Sequence, residues 1–154
     1  MSETKKGFTC GAFDLLHAGH ALMLEECKTY CDYLVVGLQV DPSVDRKDKN
    51  TPVQSFSERL TMIKSIRWVD EVIEYSTEED LYCLLTRLHE ESRINLRIIG
   101  ADWQGKKFTG YDIPIEVIFN SRDHGYSTSD LRERVYKAED RKRSPEPYFG
   151  NDVY

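Results

Sequence analysis

The sequence predicts an α/β protein, a three-layer sandwich around a five-stranded, mainly parallel sheet, and three observations predict it. Short apolar runs alternate with stretches of helical periodicity along the chain. The run Tyr33-Leu34-Val35-Val36-Gly37-Leu38 is apolar without alternation, as a strand covered on both faces must be. Loops that carry glycine follow the apolar runs where helical patterns begin, the edge at which parallel sheets bind ligands. A chain of 154 residues has material for one sizeable core, and it contains no internal repeat.

The elements follow in order. Residues 7–10 form a first strand, and 18–31 place leucine, methionine and cysteine at helical spacing. Residues 33–38 are the second strand. The polar stretch 41–54, with Asp45-Arg46-Lys47-Asp48-Lys49-Asn50, is too long for an ordinary connection and reads as a functional loop. Residues 55–66 form a helix opened by Ser55 and Glu58 at capping-box spacing. Residues 71–75 are a strand, and 77–89 an amphipathic helix whose first turn is acidic, as the helix dipole favours. Residues 96–100 and 115–119 supply the last strands, and a final helix starts near Ser127. The expected division is a domain over 1–138 and a tail over 139–154, where Arg141-Lys142-Arg143, Pro145 and Pro147 end the pattern.

Composition excludes several functions. The formal net charge of -6 has the wrong sign for broad nucleic-acid binding, so a phosphate ligand must be held by a local site. Cys10, Cys27, Cys31 and Cys83 form neither a disulfide framework nor a zinc pattern, and Cys27 and Cys31 read as packing residues one helical turn apart. The first residues lack the apolar segment of a secretory signal, and no stretch reaches transmembrane length. The expected location is the cytoplasm, with no membrane contact.

The string Gly11-Ala12-Phe13-Asp14-Leu15-Leu16-His17-Ala18-Gly19-His20 stands between the first strand and the first helix. A helix N-terminus there offers free N–H groups and a positive dipole end to an anion. Gly11 and Gly19 would let a phosphate approach the backbone, and His17 and His20 share one edge of the first turn. Beside a polyphosphate their cationic forms would be favoured, placing charge where a phosphorus is attacked. Asp14 either orients the turn or touches a ligand or metal. Ser127, Thr128 and Ser129 converge at the last helix start, as caps or as a second anion site. Arg67 either complements a helix C-terminus or meets phosphate. Lys47 and Lys49 are either solvated loop lysines or a cationic lid over a triphosphate.

The string resembles the G-x-F-D-x-x-H-x-G-H signature of the nucleotidyltransferase superfamily, whose two histidines sit at the α-phosphate of CTP or ATP. Three further segments narrow the resemblance over about residues 7–138. Ile66-Arg67-Trp68-Val69-Asp70-Glu71-Val72 is similar to the R-Y-V-D-E-V segment of cytidylyltransferases, with Arg59 where that family has another phosphate-binding arginine. Gly100-Ala101-Asp102-Trp103-Gln104-Gly105-Lys106 is similar to G-D-D-W-x-G, and Arg122-Asp123-His124-Gly125-Tyr126-Ser127-Thr128-Ser129 to R-T-x-G-I-S-T-[TS]. Leu81 stands where the glycerol-phosphate branch has an acceptor-binding lysine, and Asp123 and Ala101 depart from the motifs.

The resemblance implies a Rossmann-like fold and transfer of CMP from CTP, with Mg²⁺, to a small phosphomonoester such as glycerol 3-phosphate or another polyol phosphate. The alternatives are an adenylyltransferase of the heptose-phosphate or FMN type and a non-catalytic nucleotide-binding module. It assigns His17, His20, Lys49 and Arg122 to catalysis, and Lys47 to the substrate. Ala12, Phe13, Asp14, Gly19, Arg59, Arg67, Asp102, Trp103, Gly125, Ser127, Thr128 and Ser129 go to the nucleotide, with Asp102 and the backbone near Trp103 matching a pyrimidine edge. A homodimer is expected.

Overall fold

The structure, a computed structural model, describes residues 3–144. Strands Lys6–Gly11 (β1), Tyr33–Gln39 (β2), Glu71–Tyr75 (β3), Leu96–Gly100 (β4) and Glu116–Asn120 (β5) alternate with helices Ala18–Tyr30 (α1), Phe56–Lys64 (α2), Glu78–Glu90 (α3) and Thr128–Arg143 (α4). The sheet runs β3-β2-β1-β4-β5 with every pairing parallel, where the expectation was mainly parallel. Chain order therefore reverses between β1 and β4, which makes a crevice at their carboxyl ends. The loops that follow β1 and β4 flank that crevice.

Two apolar layers hold the sheet. Leu24 and Cys27 of α1 and Ile63 of α2 pack on Leu34, Val36 and Leu38 of β2. Leu81, Leu84, Leu85 and Leu88 of α3 pack on Phe8 and Val35 from the other face. Both faces of β2 are thus covered, which is why its sequence does not alternate. The free, buried Cys27 and Cys31 are packing residues as expected.

Local signals set the helix starts. Ser55 and Glu58 form the predicted reciprocal cap, and Thr77 and Asp80 form another at α3. At α4 the cap is one-sided: Ser127 accepts from the Asp130 N–H, while the Asp130 carboxylate pairs with Arg134 at 3.1 Å. This helix runs to Arg143, past the expected boundary at 138. Pairs spaced four apart, Lys137 with Glu133 and Arg143 with Glu139, together with a basic last turn, support helix there without any buried residue. Residues 145–154 of the expected tail lie outside the described residues.

One charge lies inside the fold. Arg59 is 2% exposed, and its guanidinium donates to backbone carbonyls of Gln39 (2.6 Å), Ala12 (2.9 Å), Gln54 (3.3 Å) and Val40. It joins the end of β2, the loop after β1 and the approach to α2. The expected phosphate role is therefore corrected: every guanidinium nitrogen of Arg59 is already engaged by the scaffold, and its side chain is sealed from solvent. Replacing Arg59 by Met leaves four carbonyls, one buried and three part-buried, without this donor. The expected loss is about 3 kcal/mol, or roughly 6–12 °C in Tm at 2–4 °C per kcal/mol for a chain of this size. Near-normal stability combined with weakened nucleotide binding would return Arg59 to the phosphate.

Candidate active site

The loop between β1 and α1 holds two bulky residues in the left-handed region, Phe13 at φ 49° and Leu15 at φ 51°. Such conformations persist only where the surroundings impose them, and they gather at functional sites. Here the restraint is a clasp. The Asp14 carboxylate accepts from the Val53 N–H (2.8 Å) and the Gln54 N–H (2.9 Å), and the Gln54 side chain accepts from the Leu15 N–H (2.8 Å). Asp14 thus takes the first of its two expected roles, orienting the turn. Ala12 gives its carbonyl to Arg59 and Phe13 buries its ring 5.5 Å from that of His20, so both shape the loop rather than present polar side chains.

The histidines cap the helix they open. His17 Nδ1 accepts from the Gly19 N–H at 3.0 Å, and His20 Nδ1 accepts from the His17 N–H at 3.1 Å. An Nδ1 that accepts carries no proton, so in both rings the proton sits on Nε2. The rings lie 3.9 Å apart, centroid to centroid. Burial, with His17 beside it, pushes the His20 pKa down to about 4, and burial with the His124 and Arg134 charges lowers that of His17. By themselves the two caps hold both rings as neutral Nε2–H donors, because protonation at Nδ1 would break them; the favoured cationic form was an expectation for rings beside a polyphosphate.

A third imidazole joins them. A Cβ built on Gly19 would lie 2.8 Å from Cε1 of both His17 and His124, so the space expected for a phosphate beside Gly19 is filled by two rings. The His17 Nε2–H points to Thr128 Oγ1 at 3.1 Å, bringing the N-terminus of α4 against that of α1. Glu26, two turns along α1, accepts from the Ser121 N–H at 2.9 Å and fixes the start of the loop that leads to α4. The sequence reading assigned no role to His124, Gln54 or Glu26. His124 stood inside a quoted motif, whereas Gln54 and Glu26 carried no spacing signal.

Other expected site residues are distributed around this centre. Arg122, at φ 54°, pairs with Asp102 at 3.4 Å across the β4 and β5 loops, and Gly125 has open space where a side chain would be. Ser127 spends its hydroxyl on the α4 cap, and Ser129 is exposed in the first turn. Trp103 is 40% exposed and lines a cavity on the α3 face. Lys47 and Lys49 are exposed on a loop tied down from within, since Asp45 accepts from the Glu78 N–H at 2.7 Å and Arg46 pairs with Glu78 at 3.3 Å. Arg67 does not join the site. It precedes β3 and so lies at the amino edge of the parallel sheet, opposite the histidines, with its guanidinium 5.2 Å from the Trp68 ring centre.

What remains is chemically coherent. Two helix N-termini, two neutral N–H donors and a hydroxyl converge where negative charge is favoured and nothing obliges a proton transfer.

Comparison with known proteins agrees with this geometry. The cytidylyltransferase-like family model matches residues 8–134. Glycerol-3-phosphate cytidylyltransferase of Bacillus subtilis strain 168 is 36% identical over 132 residues, 85% of this chain and 97% of that protein. The bifunctional protein HldE of Campylobacter curvus strain 525.92 is 34% identical over 138 residues, 89% of this chain but only 28% of that protein's length. The lipopolysaccharide core biosynthesis protein of Thermoplasma volcanium GSS1 shares the fold, with a TM-score of 0.52 at 22% identity over 89% of this chain and 90% of that one. With its family match covering both helix N-termini and the histidines between them, this chain belongs to the cytidylyltransferase-like family.

Proposed function

We propose that the protein transfers a cytidylyl group from Mg·CTP to the phosphate of a small phosphomonoester and releases pyrophosphate. The observation that carries this reading is the pair of neutral imidazoles, their Nε2–H edges set between the N-termini of α1 and α4. An oxygen of the acceptor phosphate attacks the α-phosphorus in line. The bond to the bridging oxygen breaks as the new P–O bond forms, and pyrophosphate leaves with that electron pair. The attacking oxygen is already anionic, so no general base is required, and catalysis is positioning plus electrostatic stabilisation.

His17 and His20 donate to oxygens on the α-phosphorus, where charge rearranges most. Lys49, Lys47 and Arg122 supply positive charge to the phosphates, Arg122 exchanging Asp102 for phosphate. Thr128, Ser129 and the free N–H groups of α4 receive the leaving pyrophosphate. Among the described residues no group of three or more His, Cys, Asp and Glu could hold a metal ion, and Asp14 is spent on Val53 and Gln54. Magnesium belongs in this reading as part of the substrate, neutralising the triphosphate. The homodimer belongs to the same reading, and sedimentation would report twice the 17.9 kDa chain mass.

Three outcomes test it. Changing His17 or His20 to Ala lowers kcat and kcat/KM together while CTP affinity changes little, because the donors act on charge present in the transition state. Loss of CTP binding at normal kcat would reduce them to ground-state contacts. The second outcome concerns pH. The folded pKa of His20 lies below the 6.5 of a free imidazole, at about 4, so the unfolded chain takes up a proton first as pH falls. The contribution is fully present above pH 6.5 and is lost as pH drops toward 4, on the order of 3 kcal/mol. Wild-type Tm should fall more steeply than that of His20→Gln across this window; parallel curves would contradict the buried neutral ring. The third is a pyrophosphate-release assay with CTP and ATP across polyol, sugar and amino-alcohol phosphates. CTP should be strongly preferred, since unpaired polar groups in a base pocket reject the wrong base steeply. Comparable kcat/KM for ATP would overturn the base assignment.

A further inference from the structure

A second feature opens at the same sheet edge, on the α3 face. A cavity of about 260 Å³ is lined at its rim by Gly11 and Gly100, which end β1 and β4, and by Trp103, which follows β4. Arg97 forms its floor. Arg97 is 5% exposed and pairs in register with Phe8, three residues before β1 ends at Gly11, which places its Cα roughly 10 Å below the edge at 3.3 Å per residue. Its guanidinium donates to the Thr109 carbonyl and lies 5.1 Å from the Phe108 ring centre.

What Arg97 lacks is a direct ion pair: its electrostatic neighbours include the Cys10 thiol and Glu78, but neither forms a salt bridge with it. Among the described residues no carboxylate forms an ion pair with it, although a buried charge is costly unless paired. Glu78, which also lines the cavity, is already committed: one oxygen pairs with Arg46 at 3.3 Å and the other accepts from the Thr109 hydroxyl at 2.7 Å. Arg46 contributes a buried Nε–H with no hydrogen-bond partner, and Lys107 adds a third cation. Three cations against one carboxylate, in a chain of net charge -6, form a pocket prepared for an anion.

The depth identifies which anion. The acceptor's attacking phosphate must stay at the rim, beside Gly11 and the histidines, because the α-phosphorus is there. We propose that the cavity takes the other end of the acceptor, and that the acceptor is a small phosphomonoester bearing a second anionic group, which Arg97 and the Nε–H of Arg46 receive. This rests on the transfer reading above and gives it a substrate class. A neutral polyol phosphate would leave Arg97 without a direct ion pair.

Two probes differ only at that end: glycerol 3-phosphate, and glycerate 3-phosphate, in which a carboxylate replaces the terminal CH2OH. Calorimetry on the full chain, with and without Mg·CTP, should show glycerate 3-phosphate binding at least tenfold more tightly. Arg97→Met should abolish the preference, Arg97→Lys should keep part of it, and Arg46→Met should reduce it several-fold. Should Arg97→Met fail to fold, the other two variants still decide. Equal affinities in the wild type, no binding of the carboxylate probe, or a preference that survives Arg97→Met would overturn the proposal. Failure to bind CTP in the same titrations would instead strike the transfer reading, since the probes are also titrated without nucleotide.

Discussion

The site depends on one buried guanidinium. Arg59 gathers carbonyls from β2, from the loop after β1 and from the approach to α2, three segments that would otherwise end separately at the carboxyl edge of the sheet. Asp14 works from the other side, taking backbone N–H groups of Val53 and Gln54. Between them the loop is held with Phe13 and Leu15 in left-handed conformations that cost on the order of 1–3 kcal/mol each. That strained path delivers His17 to the helix as its cap. Removing the clasp would leave the loop free to relax away from the histidines.

The histidines show how one arrangement serves two ends. As caps they satisfy orphan N–H groups of α1, and the same bonds fix the tautomer, so each ring keeps its proton on Nε2, that of His17 meeting Thr128 Oγ1. Neutral donors add no charge of their own beside the cationic groups already at the rim, and their geometry is set before any ligand arrives. Gly19 is part of this arrangement because only a residue without Cβ lets the His17 and His124 rings close over the helix start.

The sheet edge has two sides with different electrostatics. Toward α1 and α4 lie helix dipoles and neutral imidazoles, suited to a polyphosphate in motion. Toward α3 lies a deep cavity with fixed guanidinium groups, suited to holding one end of a ligand still. Gly11 lies between them, at the reversal of strand order, where two substrates approaching from opposite faces can meet.

The order of strands and helices was legible in the sequence because each signal is local. An unbroken apolar run marked β2, a short run rich in leucine and isoleucine marked β4, capping spacing marked α2, and the histidine string marked the loop after β1. The chemistry class was legible for the same reason, since ten consecutive residues carry the motif. What only the tertiary structure decided is which charges face a ligand. Arg59 matched a phosphate-binding pattern and Asp14 a ligand-contacting one, yet both are consumed by backbone groups from distant segments, and Arg67 lies at the far edge because strand direction put it there. Conversely, Arg97 carried no sequence signal of its own, and became the floor of a cavity once Phe108, Thr109 and α3 closed around it. A charged side chain's role depends on whether its hydrogen bonds are filled, and that is settled by residues far away in the chain.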